Sequence, residues 1–217
     1  MSALAPLNPP FGCRLCPRLA EFRDENAEKF PDFFNAPAPT FGPVDASLLI
    51  VGLAPGLHGA NRTGRPFTGD YAGDLLYATL GKFKFTNDKY DSRPDDGLKM
   101  RGAAITNAVR CVPPQNKPIG AEIKTCRPFL INSLDAMENL KAVLCLGKIA
   151  HDSTIAALGL RQKDAPFGHG NEHAAEGRPF RIFDSYHCSR YNTNTRRLTP
   201  EMFEDVFAVI RAHIDES

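Results

Sequence analysis

What the chain lacks narrows its class first. No apolar run approaches the roughly 20 residues needed to cross a bilayer; the longest centres on residues 48–51. The first residues, MSALAPLNPPFG, contain neither a basic segment nor an apolar core, so they do not read as a secretory leader. An excess of charge is missing too: 26 Lys and Arg against 25 Asp and Glu give a formal net charge of +1. That excludes a histone-like binder or a supercharged tail, yet leaves room for a local basic groove. Internal repeats and low-complexity tracts are absent. The expectation is a cytoplasmic, membrane-free monomer. In that reducing setting six cysteines serve as metal ligands or buried thiols rather than disulfides.

A chain of 217 residues can bury a full core as one domain over residues 1–217. Its 18 prolines and 17 glycines cluster at 6–10, 37–43, 52–73 and 113–120, the pattern of ordered loops on a scaffold. Four short apolar runs ending near Gly52, Thr106, Leu146 and Phe183 read as buried strands over 46–52, 102–106, 142–146 and 179–183. Between them lie helical patterns: Leu75, Leu76 and Leu80; Ile123, Leu130, Leu134 and Met137, with Pro128 starting or kinking that helix; and residues 149–158. The last helix is the clearest. Thr199 suits the N-cap, Pro200 the first helical position and Glu201 the first turn, and Phe203, Val206, Phe207, Ile210 and Ile214 share one face. Strands alternating with helices predict an α/β fold: a three-layer sandwich whose central, four-stranded, mostly parallel sheet carries helices on both faces. In such sheets the site lies beyond the carboxyl ends of the strands.

Three segments carry chemistry. Cys13 and Cys16 form a CxxC pair, and Cys111 and Cys126 flank a proline-rich loop. Two such pairs can close a four-thiolate site for zinc or for an iron–sulfur cluster. Thioredoxin-type chemistry is disfavoured, because the pair precedes any strand; Cys145, inside an apolar run, reads as a core thiol. The loop from Gly52 to Asp70 has five glycines, Arg62, Arg65 and one acid, Asp70, with Phe67 available to stack on a flat ring. The segment 185–199 follows the fourth strand with three arginines, two tyrosines and no acid, a composition suited to gripping phosphates. A free-nucleotide enzyme is disfavoured, since GLAPG lacks both the Walker lysine and the GxGxxG spacing.

Together the segments Gly52-Leu-Ala-Pro-Gly56, His58-Gly-Ala-Asn-Arg-Thr-Gly-Arg-Pro-Phe-Thr-Gly-Asp70, Thr106-Asn-Ala-Val-Arg-Cys111 and His187-Cys-Ser-Arg-Tyr-Asn-Thr-Asn-Thr-Arg-Arg-Leu-Thr199 resemble the uracil-DNA glycosylase superfamily, and within it the type B (family 5) enzymes. The resemblance runs from about Cys13 to the carboxyl terminus. It implies a four-stranded parallel sheet between helices and a [4Fe–4S] cluster on Cys13, Cys16, Cys111 and Cys126. It implies hydrolysis of the N-glycosidic bond of uracil, and of other deaminated bases such as hypoxanthine and xanthine, in double- or single-stranded DNA, leaving an abasic site for base excision repair. A base inside a duplex must first be flipped out. For that reaction Asp70 is the expected carboxylate at the sugar, His187 the donor to the departing base and His58 a helper. Gly52, Ala54, Phe67 and Asn107 are expected at the base, and Arg62, Arg65, Ser189, Arg190, Asn192 and Arg196, with Arg197, on the strand. No lysine lies in these motifs, so the enzyme is expected to be monofunctional. Two sites depart from the pattern. Leu53 and Ala54 occupy a stretch that carries an acid or amide in other branches, and Cys188 replaces a proline, which is expected to free one backbone N–H and loosen the turn. The competing reading is a non-catalytic iron–sulfur DNA-binding module of the same fold.

Overall fold

The computed structural model describes residues 7–217, so part of the segment read as carrying no leader, residues 1–6, lies outside the described residues. No helix of the described residues is long and apolar enough to cross a membrane. The chain begins with helix α1 (Pro17–Lys29), then strand β1 (Leu48–Gly52), the one-turn helix α2 (Ala60–Thr63), α3 (Tyr71–Lys82) and β2 (Ala103–Asn107). It continues through α4 (Gly120–Ala136), β3 (Ala142–Leu146), α5 (Lys148–Ala157), the short β4 (Glu172–Ala174), β5 (Arg181–Ser185), α6 (Arg190–Asn194) and α7 (Pro200–Glu216).

The sheet has the order β2-β1-β3-β5-β4. It holds five strands rather than the expected four: β1, β2, β3 and β5 are parallel, and β4 adds an antiparallel edge on β5. β4 escapes a hydrophobic reading because it is three residues long and largely exposed. β1, β2 and β3 are buried along their length and β5 from Ile182 onward, which is why their centres read as apolar runs. Alternate residues face opposite layers. Leu48, Ile50 and Leu144 pack with α3 and α7 through Leu76, Leu80, Phe203 and Phe207. Leu49, Val51 and Val143 pack with α4 and α5 through Leu130, Leu134 and Ile155.

The ends of the elements move by one or two residues for local reasons. Gly102 has φ +64°, outside strand geometry, so β2 starts one residue later and takes in Asn107. Pro179 cannot donate to a ladder, so β5 starts at Arg181 and extends to Ser185. Pro128 neither starts nor ends α4, which runs through it. That helix starts eight residues earlier, where the Glu122 carboxylate accepts from the Ile119 N–H at 2.8 Å. α7 begins as expected, with the Thr199 hydroxyl accepting from the Met202 N–H at 3.2 Å. The register sets Gly52 opposite Asn107 and Leu146 opposite Ser185, so the strand ends form one rim. From β1 the chain crosses to β2 on one side and later to β3 on the other, a topological switch where ligands commonly bind.

Ion pairs hold the loops above this rim. His151 Nδ1 meets Asp184 Oδ1 at 2.7 Å, and His151 Nε2 meets the Ala165 carbonyl at 2.8 Å. Burial works against the charge on His151, but Asp184 raises its pKa above the ordinary value, and the pair ties α5 to β5. Arg65 is the other anchor, and the expectation that it grips phosphate is corrected here. Its side chain is 6% exposed, and its two terminal nitrogens donate to both Asp96 oxygens at 2.8 and 2.7 Å. Its Nε donates to the Thr68 hydroxyl at 2.7 Å, and the guanidinium faces the rings of Phe41, Tyr77 and Tyr90. Nη2 also donates to the Arg93 carbonyl at 2.7 Å, so four of its five N–H groups are held inside the protein.

Arg65→Met leaves the Asp96 carboxylate with only the Asp91 and Leu98 N–H groups and no counter-ion, and is expected to lower stability by about 3 kcal/mol in urea unfolding at pH 7. Arg65 holds the Asp96 carboxyl well below the usual range. This contribution is therefore present above about pH 4, the ordinary Asp value, and is lost as pH falls below it. Wild-type stability with a shallower salt dependence of DNA binding would return Arg65 to the phosphate contacts.

Candidate active site and cysteine centre

A cavity of about 510 Å³ opens at the switch point. Asp70, Phe67, Asn107, His187, Ala54 and His58 all line it, as does Asn116. Two missing side chains make this convergence possible. A Cβ on Gly52 would lie 2.5 Å from Asn107 Oδ1 and 2.8 Å from the Phe67 ring, so only glycine lets both pack over the end of β1. A Cβ on Gly59 would lie 2.4 Å from Asp70 Oδ2.

Asp70 is the N-cap of α3; its Oδ1 accepts from the Gly73 N–H at 3.1 Å. Burial pushes its carboxyl pKa up, and the hydrogen bond from Gly73 opposes that shift. The carboxylate is therefore held at the positive end of a helix while poorly solvated. His187 stands two residues past β5, its ring parallel to that of Phe67 at 5.8 Å between centroids. Burial alone lowers its pKa to about 4, so it is neutral at physiological pH. Its ring makes no hydrogen bond among the described residues, so the neutral imidazole retains an N–H for a ligand. Asn107 is 3% exposed and its amide is likewise unpartnered among the described residues. Phe67 holds φ +53°, a strained conformation for a bulky residue, beneath the ring of His187. His58, by contrast, is exposed at the mouth, edge-on to the stacked pair Phe30 and Phe33.

The segment after His187 is ordered by its own side chains. The Ser189 hydroxyl caps α6, and Asn192 Nδ2 donates to the His187 carbonyl at 2.8 Å, so both are engaged in shaping the turn. Cys188 does not loosen that turn as expected: it is fully buried, and its thiol donates to the Ala72 carbonyl at 3.4 Å. Arg190 lies over the Tyr71 ring at 5.2 Å and Arg197 over Tyr186 at 4.5 Å, while Arg62 and Arg196 are exposed. Tyr191 at the tip is 72% exposed. Sequence reasoning missed Asn116. Its signal is the Pro-Gln-Asn turn inside the proline-rich loop, where Gln115 and Asn116 both take positive φ.

Away from the cavity, Cys13, Cys16, Cys111 and Cys126 line one small pocket with Leu19, Val109 and Phe129. Arg23 Nη1 donates to Cys111 Sγ at 3.2 Å, and the Arg110 N–H to Cys126 Sγ at 3.4 Å. Burial pushes the Cys16 and Cys111 thiols up to about 11 and about 12. No three of these four sulfurs lie within 4.8 Å of one another. The donors that do come that close among the described residues are Cys145, His151 and Asp184, but both His151 nitrogens are already held by oxygens.

Comparison with known proteins agrees with this geometry. Residues 39–211 match the model of the uracil DNA glycosylase superfamily. The chain is 42% identical to the type-5 uracil-DNA glycosylase of Thermus thermophilus over 199 residues, covering 89% of this chain and 90% of that one. It is 40% identical to the type-5 enzyme of Mycobacterium bovis (90% and 75% covered) and 37% identical to that of Pyrobaculum aerophilum (89% and 85% covered). A fold with its cavity at the switch point, a motif set converging on that cavity and matches over nearly the whole length have one reading: the chain belongs to the uracil DNA glycosylase superfamily, among the type-5 uracil-DNA glycosylases.

Proposed function

We propose that this protein is a monofunctional DNA glycosylase of base excision repair: it flips uracil out of DNA, hydrolyses the N-glycosidic bond and leaves an abasic site. The observation that carries the proposal is the convergence on one cavity of a desolvated carboxylate, Asp70, and a neutral, unpartnered imidazole, His187, with the unpartnered Asn107 amide and the Phe67 ring. Phe67 stacks on the extruded base, and Asn107, a donor and acceptor at once, reads its edge. As the bond from C1′ to the base nitrogen breaks, its electron pair leaves with the base. The resulting negative charge on the base oxygen takes a hydrogen bond from His187. The sugar becomes cation-like beside Asp70, which also orients the water: its oxygen bonds to C1′, and the proton it loses ends on the departed base anion. Leu53 and Ala54 can activate nothing, so water positioning falls to Asp70, and Asn116 adds a second polar group at the same cavity.

The cavity is larger than a pyrimidine needs and Asn107 is bifunctional, which supports hypoxanthine and xanthine as further substrates. Arg62, Arg190, Arg196 and Arg197 hold the strand by its phosphates, in duplex or single-stranded DNA. Tyr191 fills the stack that the flipped base vacates. The protein acts as a single domain over residues 1–217, as a monomer, with His58 at the rim of the cavity. Cys13, Cys16, Cys111 and Cys126 hold a [4Fe–4S] cluster. Tetrahedral zinc, with Zn–S near 2.3 Å, needs its sulfurs about 3.8 Å apart; the wider spread here and the N–H donors on two sulfurs favour the larger group. When bound, it ties α1 and α4 to the end of β2.

The test is an end-labelled duplex carrying one uracil, with abasic sites then cleaved by alkali. A short product only after alkali is expected; DNA retention without product favours the non-catalytic module. Asp70→Asn is expected to slow excision at least about 100-fold with DNA binding intact. Its melting temperature should stay level or rise. The raised pKa means that the charged carboxylate opposes folding at neutral pH, and Asn caps a helix as well as Asp does. Equal activity would remove Asp70 from the mechanism. Asn107→Ala is expected to change the ranking of uracil, hypoxanthine and xanthine in single-turnover rates more than affinity for undamaged DNA. The reverse pattern would make it a backbone contact.

A further inference from the structure

Two buried arginines adjoin the four-cysteine centre with no carboxylate to balance them: Arg23 touches Cys111 through its guanidinium, and Arg110 touches Cys126 through its backbone N–H. Arg23 on α1 is 4% exposed; its Nη1 donates to Cys111 Sγ and its Nη2 to the Cys13 carbonyl at 2.8 Å. Arg110 is 1% exposed. Its side chain meets only neutral oxygens: Asn8 Oδ1 and Thr40 Oγ1 at 3.0 Å, Ser133 Oγ at 3.2 Å and the Leu7 carbonyl at 3.5 Å. Its Nε has no partner among the described residues. Neither arginine forms an ion pair among the described residues. The acid nearest this centre, Glu122, is already gripped by both arms of Arg18, at 2.7 and 2.8 Å. The region therefore holds two buried positive charges with nothing of the protein's own to offset them. Buried unpaired charge is strongly unfavourable, so this pattern points to a missing anion.

Four thiolates around a [4Fe–4S] core in its 2+ state carry a net charge of about −2, the complement of those two cations. We propose that Arg23 and Arg110 are the counter-charges of the cluster: they retain it in the protein and hold its reduction potential up. The inference rests on the cluster reading above. It adds a positioning role for two residues outside the ligand set, and one consequence for the active site. Thr40, which Arg110 touches, shares a hydrogen bond of 3.1 Å with Thr106, the neighbour of Asn107. Loss of the cluster would leave an uncompensated cation three residues from the base-facing amide.

The test uses the full chain purified without oxygen, as wild type, Arg23→Met, Arg110→Met, Arg23→Lys and Arg110→Lys. Far-UV circular dichroism checks folding; Arg23, on α1 outside the sheet, supplies the second site should Arg110→Met fail to fold. Iron per chain, the decay of visible absorbance under a chelator and the midpoint potential are then measured. The Met variants are expected to lose iron about 10-fold faster than wild type and to have a more negative potential. The Lys variants should restore the potential in large part, because they return the charge without the planar fork. A wild type without iron overturns the cluster reading, and the counter-charge with it. An iron-loaded wild type whose folded Met variants match it in both retention and potential overturns the counter-charge alone.

Discussion

The close approach of three segments over the end of β1 depends on the empty side-chain position at Gly52. Parallel pairing brings Asn107 alongside it, and the loop after β1 folds Phe67 back onto it. A Cβ there would overlap both side chains and force them off the end of β1. The cavity, its buried amide and its aromatic wall are consequences of that one vacancy. Gly59 performs the same service for Asp70 at the next turn of the loop.

Burial then sets the protonation states. Asp70 and His187 line the same cavity, yet desolvation drives their pKa values in opposite directions, because it disfavours charge on an acid and on a base alike. At the start of α3 the Gly73 N–H opposes the upward shift of the Asp70 carboxyl, whereas nothing opposes the effect of burial on His187, and its imidazole is neutral. A desolvated carboxylate and a neutral donor suit a reaction that builds positive charge on a sugar and negative charge on a base. The same desolvation acts at the cysteines, where burial raises the thiols, so that metal binding must displace their protons to solvent.

Arginine shows how far composition reaches. The sequence lists Arg62, Arg65, Arg190, Arg196 and Arg197 in glycine- and polar-rich loops with almost no acid nearby, and they look alike. In the fold they divide. Arg65 meets Asp96, which lies 31 residues away and belongs to no recognisable motif, and its role becomes structural. Arg190 and Arg197 lie over tyrosine rings contributed by neighbouring elements. Arg23 and Arg110, unremarkable in the sequence, become the two cations at the cysteine centre. Which acid an arginine meets is a long-range contact, and no local pattern encodes it.

The sequence by itself determined the layer architecture, because buried parallel strands are continuous apolar runs and α7 carries its cap, its proline and its apolar face in order. It also marked the motif-bearing loops, the four cysteines, and Asp70 and His187 as chemically capable groups. Only the tertiary structure decided the fifth strand, too short and exposed to leave a hydrophobic signature, and the path of α4 through Pro128. The fold alone placed Asn116 at the cavity, made Cys188 a packed thiol in the core and buried Arg65 against Asp96. These outcomes depend on which distant segments meet and on how much water remains between them. Local spacing fixes neither.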